Sequence, residues 1–296
     1  MSEGPTGTQP SRPVLYARFV RISHTGFALP FALAGAILAS FRYPVTARAV
    51  LWILVAFTAA RFAAMGFNRI VDRHFDARNP RTRDRELPSG RLSVREARIA
   101  VAVASGIFLL AAGMLNPLCF ALAPLALAAI LGYSYAKRFT SATHLILGLA
   151  DGIAPAAGYL AIAGEWSRPW TVLPVLWLAV GLWIGGFDIL YSLQDIAVDR
   201  ELGLRSIPAR FGVRTARGVA VVFHAGAILC LALLPALMPE LGPGYLLAVL
   251  VTLGLMGLEH GLVDTSSPET IHRAFFTVNV WIAVCFAGLL LVDRLF

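Results

Sequence analysis

Apolar residues run along this chain in blocks of roughly 20, the length at which a helix crosses a bilayer, and polar residues gather between the blocks. Hydropathy predicts nine helical spans, centred in 22–41, 49–71, 97–115, 117–136, 143–163, 170–193, 216–238, 243–262 and 273–293. Prolines inside them, such as Pro30, Pro124 and Pro155, are tolerable where neighbouring helices cover the freed backbone. The pattern predicts an all-α, polytopic membrane protein embedded in the lipid bilayer. Residues 18–296 form its transmembrane domain. Residues 1–17 read as a disordered tail, rich in Gly, Pro, Thr and Ser and without the apolar stretch of a cleaved signal.

Composition strengthens this reading. Of 296 residues, 58% are hydrophobic and 14% charged, against about 45–50% and about 25% in soluble domains. The net charge of +8 suggests nucleic acid only until the charges are located. They sit in loops between apolar blocks, which is the positive-inside signature, and no basic surface is left for nucleic acid. Arginines crowd the N-terminus and the loops after the second, fourth and sixth spans, among them Arg85, Arg138 and Arg205. Those loops and the N-terminus are therefore expected in the cytoplasm, with the chain in the cell membrane. Cys119, Cys230 and Cys285 lie in apolar stretches without a CxxC and read as buried hydrophobes. Nothing in the sequence calls for an obligate protein partner.

One internal repeat stands out. Asp72 and Asp76 end the second span, and Asp195 and Asp199 end the sixth, at the same offset of 123 residues. Each pair is followed by a basic loop with a proline, and four spans separate them, so both belong at one membrane face. Two related halves, about 18–140 and 141–296, would then meet at one site. The plainer alternative is a chance similarity of basic loops.

The acids carry the chemistry. On a helix, Asn68, Asp72 and Asp76 stack along one face, with Arg61 two turns earlier and deeper in the membrane. Asp188, Tyr191, Asp195 and Asp199 are spaced to share a face in the same way. An aspartate within a membrane helix costs about 2.5–3.5 kcal/mol at the centre and less near the interface. Pairing with local arginines explains one such acid but explains two matched ladders poorly. Magnesium takes one or two protein carboxylates and completes its shell with water and phosphate oxygens. Two facing ladders can hold such ions against a diphosphate, and nearby basic residues can take the remaining phosphate charge. Lys137 is the one lysine beside 24 arginines, which marks its compact ammonium unless it was retained by chance. Asp151, in LILGLADGIAP, is a candidate cavity residue or a local polar contact. His24, in RISHTGFALP, is a candidate contact for acceptor or phosphate, or a satisfied interfacial histidine. The four tryptophans between 166 and 183 need no functional reading.

NRIVDRHFDARNPRTRDRELPSG resembles the first motif of the UbiA superfamily of intramembrane aromatic prenyltransferases, and YSLQDIAVDRELGLRSIPARFG resembles its second. YSYAKRFT, at 133–140, resembles the segment between them. The resemblance implies a helical bundle around a central cavity, with Asn68, Asp72, Asp76, Asp195 and Asp199 holding Mg2+ and a prenyl diphosphate. It implies that Lys137 and Arg138 assist the phosphates and that Arg61 faces the acceptor. The substrates implied are a polyprenyl diphosphate and an aromatic acid, 4-hydroxybenzoate or 1,4-dihydroxy-6-naphthoate, of ubiquinone or menaquinone synthesis. Arg69 departs from the pattern, standing where many relatives carry a further aspartate. Prenylation of another lipophilic acceptor is the alternative within the class. A secondary transporter is the alternative outside it, disfavoured because the acids cluster at one face rather than at the midplane.

Overall fold

Among the described residues the nine apolar blocks become nine helices, preceded by a short tenth. The structure is a computed structural model that describes residues 11–20, 25–264 and 267–296. The helices are α1 (Arg12–Phe19), α2 (Thr25–Ser40), α3 (Ala47–Arg78), α4 (Val94–Leu115) and α5 (Pro117–Phe139). There follow α6 (Thr143–Ala163), α7 (Val172–Glu201), α8 (Ile207–Leu237), α9 (Pro243–Leu262) and α10 (Glu269–Leu295). Eight of them, α3 to α10, are long and apolar enough to cross a membrane, and α2 is a shorter apolar helix of 16 residues. Among the described residues there is no strand.

Helices adjacent in sequence pack on one another from α3 to α10, α10 returns to α2, and α2 lies along α6, which closes the bundle. Close approach is possible because small residues stand at the crossings. At Gly148 of α6 a Cβ would fall 2.0 Å from the carbonyl oxygen of Gly181 on α7, so no other residue fits there without moving the backbone. Buried polar groups also tie helices together. Trp183 Nε1 of α7 donates to Asn279 Oδ1 of α10 at 2.9 Å, and Asn279 Nδ2 donates to Glu259 Oε1 of α9 at 2.7 Å. A π-turn at Ala274–Val278 sets the phase of α10 just before Asn279.

Two expectations change. Residues 12–17, assigned from sequence to the tail, are helical. Leu15 and Phe19 of α1 are buried against Ile70, Leu92 and Val101, because an apolar stripe on this short segment finds a partner on α3 and α4. Residues 1–10 lie outside the described residues. The second acidic segment is also not one continuous helix. A 3-10 turn at Leu193–Asp195 interrupts α7, and Asp199 lies on the short helical piece Ile196–Glu201 beyond it. Asp188 and Tyr191 therefore do not continue in helical register into Asp195 and Asp199. A matching 3-10 turn at Tyr133–Tyr135 interrupts α5 just before Lys137.

Within α8 the chain kinks at Gly212, whose φ of 82° and ψ of 170° belong to a region only glycine occupies readily. Replacing Gly212 by alanine meets no steric neighbour, so its cost is backbone strain alone, about 1–3 kcal/mol. A thermal melt of the variant in detergent is expected to show a midpoint lower by several degrees.

Candidate active site

The two acidic segments meet at one end of the bundle, where α3, α5 and α7 end and α8 begins. The loop after α3 makes the connection. Asn79 stops the helix and its Oδ1 accepts from the Arg81 backbone N–H at 2.9 Å, while Thr82 Oγ1 donates to the Asp76 carbonyl at 2.9 Å. These local bonds fold the loop back over the helix end. Arg81 then forks onto Asp195 of the other motif, with Nη2 to Oδ2 at 2.6 Å and Nε to Oδ1 at 3.1 Å. Asn79 Nδ2 donates to the same carboxylate at 3.3 Å. Burial works against the charge of Arg81, but Asp195, Tyr191 and Asp76 outweigh it and raise its pKa.

Asp72 and Asp76 are neutralised in the same manner. Asp72 is 4% exposed and receives Lys137 Nζ at 2.6 Å, Arg138 Nη2 at 3.4 Å and Asn68 Nδ2 at 3.2 Å. Asp76 is 8% exposed and receives Arg85 Nη1 on both oxygens, at 2.8 and 2.9 Å. Asp199 accepts from Ser206 Oγ at 2.6 Å, the residue that also caps α8. Arg205 holds the far loop in place, its N–H donating to the Lys137 carbonyl at 2.8 Å and its Nη1 to the Phe139 carbonyl at 2.7 Å. Charged groups this deeply buried persist only when paired and hydrogen-bonded. Asp72 and Asp76 are both, whereas Asp199 is only partly buried and is held by the Ser206 hydroxyl.

The donor set fits a hard divalent cation, being carboxylates and one amide with no sulfur or imidazole. Among the described residues no three His, Cys, Asp or Glu side chains already converge as a cage. Magnesium takes one or two such carboxylates and draws the rest of its shell from water and phosphate.

The remaining candidates have partners of their own. Asp188 contacts His144 Nδ1 at 2.6 Å. The Ile207 N–H donates to His144 Nε2 at 3.4 Å, so Nδ1 carries the proton and donates to Asp188. Tyr191 lies at the edge of the site, its hydroxyl accepting from Arg81 Nη1 at 3.3 Å and its ring tilted on Phe275. Arg69 turns away from the acids toward Glu86, at 3.7 Å. His24 lies outside the described residues.

Below the charged end, an apolar cavity opens between α3 and α6, walled by small residues such as Ala60, Ala64, Ala154 and Ala157. Arg61, Asp151 and Tyr133 are its polar groups. Arg61 Nε is buried without a hydrogen-bond partner, and Asp151 and Tyr133 are the groups that act on it electrostatically. Among the described residues no ion pair within 4.0 Å involves Arg61. The residues that spacing alone missed are Arg81 and Arg85 as partners of the acids, together with Ser206, His144 and Tyr133. YSYAKRFT holds Tyr133, a signal that was available.

A bundle of apolar, membrane-length helices with paired acidic motifs above an apolar cavity has the architecture of an intramembrane enzyme. The chain matches the model of the UbiA prenyltransferase family over residues 28–283 and belongs to that family; it is a prenyltransferase. It is 32% identical to a 4-hydroxybenzoate octaprenyltransferase of Salmonella paratyphi C over 243 residues, 81% of this chain and 82% of that one. The corresponding enzyme of Nitrosomonas eutropha is 30% identical over 242 residues, 78% of this chain and 79% of the relative. Among solved structures, the apo UbiA homologue of Aeropyrum pernix K1 superposes with a TM-score of 0.82 at 34% identity, covering 92% of this chain and 98% of its own. A UbiA homologue of Archaeoglobus fulgidus, bound to GPP and Mg2+, superposes at 0.72 with 18% identity, covering 94% and 99%.

Proposed function

We propose that this enzyme transfers a polyprenyl group from its diphosphate to an aromatic acid, 4-hydroxybenzoate or 1,4-dihydroxy-6-naphthoate. The crossed pairing of Arg81 with Asp195 carries the reading, because it makes one site of two motifs far apart in sequence. The prenyl diphosphate and magnesium of the Archaeoglobus fulgidus homologue, and the names of the relatives, support the choice of substrates. Asn68, Asp72, Asp76, Asp195 and Asp199 would hold Mg2+. When bound, magnesium neutralises the diphosphate and makes it a better leaving group.

The chain's own groups supply the rest. Arg81, Arg85, Lys137 and Arg138, which now neutralise carboxylates, are free to move onto phosphate oxygens once the acids take metal. The allylic C–O bond then breaks with its electron pair leaving on the diphosphate oxygen. The prenyl cation is attacked by a ring carbon activated by the acceptor's phenolic oxygen, and that carbon loses its proton. The alanine-walled cavity keeps water from the cation and accommodates the apolar tail. Arg61, with an unpartnered N–H at the cavity wall, binds the acceptor carboxylate and aims the ring.

Purified enzyme incubated with magnesium, polyprenyl diphosphates and the two acids should yield a prenylated acid, identified by mass. Diphosphate hydrolysis without any prenylated aromatic product would refute the assignment.

The loops at the motif-bearing end carry the arginine clusters, which supports an active site facing the cytoplasm. Single cysteines replacing Arg83 and Arg210, in a background without native cysteines, are expected to be labelled from the cytoplasmic side, and one replacing Arg168 from the opposite side. Labelling of positions 83 and 210 from different faces is incompatible with a single site.

A further inference from the structure

On the side of α3 turned away from Asp72 and Asp76 lies a second groove, between the adjoining ends of α3, α4 and α5. Arg73, Arg98 and Arg138 rim it, and Phe67, Val101 and Leu131 are among its apolar walls. No carboxylate lines it. Among the described residues neither Arg73 nor Arg98 forms an ion pair, in contrast to the arginines facing the catalytic acids. Arg73 Nη1 is turned onto its own helix, donating to the Ile70 carbonyl at 2.8 Å. Arg138 is fixed between the rings of Phe75 and Tyr135, at 5.0 and 5.4 Å, and its Nε is buried without a hydrogen-bond partner. Arg73 and Arg98 therefore crown an apolar groove with no protein anion to match them, while Arg138 at its edge is shared with Asp72.

We propose that this groove binds an anionic membrane phospholipid, its phosphate against Arg73 and Arg98 and an acyl chain along Phe67, Val101 and Leu131. Charge complementarity and the apolar wall together select an amphiphile, since free phosphate would leave the wall uncovered. The groove has no carboxylate or amide donors for a metal. A metal-dependent diphosphate is therefore matched by the other face of α3, and a singly charged phosphodiester by this one.

The test uses the full chain in nanodiscs of phosphatidylcholine containing a minor fraction of phosphatidylglycerol, with retained lipids read by native mass spectrometry. Wild type should retain one phosphatidylglycerol in preference to phosphatidylcholine, and the Arg73→Gln/Arg98→Gln variant should lose that preference by about 30-fold. Turnover of the variant in pure phosphatidylcholine should stay at the wild-type level, which shows that it folds. Equal retention of the two lipids by wild type overturns the proposal, as does a preference that survives the double substitution. Displacement of the bound phosphatidylglycerol by a prenyl diphosphate without magnesium also overturns it, and assigns the groove to substrate.

Discussion

Asp72→Asn is expected to lower turnover by about 10²–10³-fold while leaving the protein folded, and Asp199→Asn to do the same. Each substitution keeps the shape of the side chain and removes a formal charge from the end of the site where the diphosphate would sit. Asp72 is the more informative, since Lys137, Arg138 and Asn68 all converge on it. Converting it to an amide leaves those two cations without their anion, and they would hold phosphate no less well. A loss of turnover therefore points to the missing metal ligand rather than to weaker phosphate binding. Removal of magnesium by a chelator should reproduce the loss in the wild type and add little to it in the variants. Steady-state turnover with saturating prenyl diphosphate and acceptor measures both effects. Near-normal rates in either variant would remove the metal from the account.

Arg61→Leu is expected to raise the Michaelis constant for the aromatic acid by about 10–100-fold, with little change for the prenyl diphosphate. The guanidinium stands in the cavity wall with one N–H unpartnered and with Asp151 as the carboxylate acting on it. A carboxylate-bearing acceptor would complete its hydrogen bonding, as a bidentate fork that lysine reproduces only in charge. Arg61→Lys should therefore recover part of the loss. Initial rates with each substrate varied in turn separate the two constants. If the leucine variant loses affinity for the diphosphate alone, Arg61 belongs with Lys137 and Arg138, and the acidic acceptor loses its support.

The helices were readable because a membrane protein declares its spans in length and hydropathy, and each predicted centre falls within a helix. What escaped was set by contacts rather than by composition. α1 is too short and too polar to announce itself, and it is helical here because Leu15 and Phe19 find α3 and α4. Glu259 passed unnoticed in a run of leucines and glycines, although an intramembrane acid is a signal in its own right, and it is held by Asn279. In the site, Asn68, Asp72 and Asp76 were legible from helical spacing because α3 stays helical through Arg78. The second segment was legible in composition but not in geometry, since the 3-10 turn at Leu193–Asp195 breaks the period that spacing assumes. Arg81 and Arg85 follow Asn79, where the chain leaves the helix, so no periodicity could say that one would cross to Asp195 and the other fold back on Asp76. His144 is a lone histidine opening an apolar helix, and only the fold sets it against Asp188.

On the proposed reading, the two acidic segments act as one metal–diphosphate site. A double-mutant cycle on Asp72→Asn and Asp199→Asn tests it most directly, with turnover as the readout and a thermal melt to confirm folding. Groups that act as a unit are strongly non-additive. The double variant is therefore expected to fall no more than about 10-fold below the weaker single variant. Losses that multiply to about 10⁴–10⁶-fold would mean that the two acids act independently and not at one site.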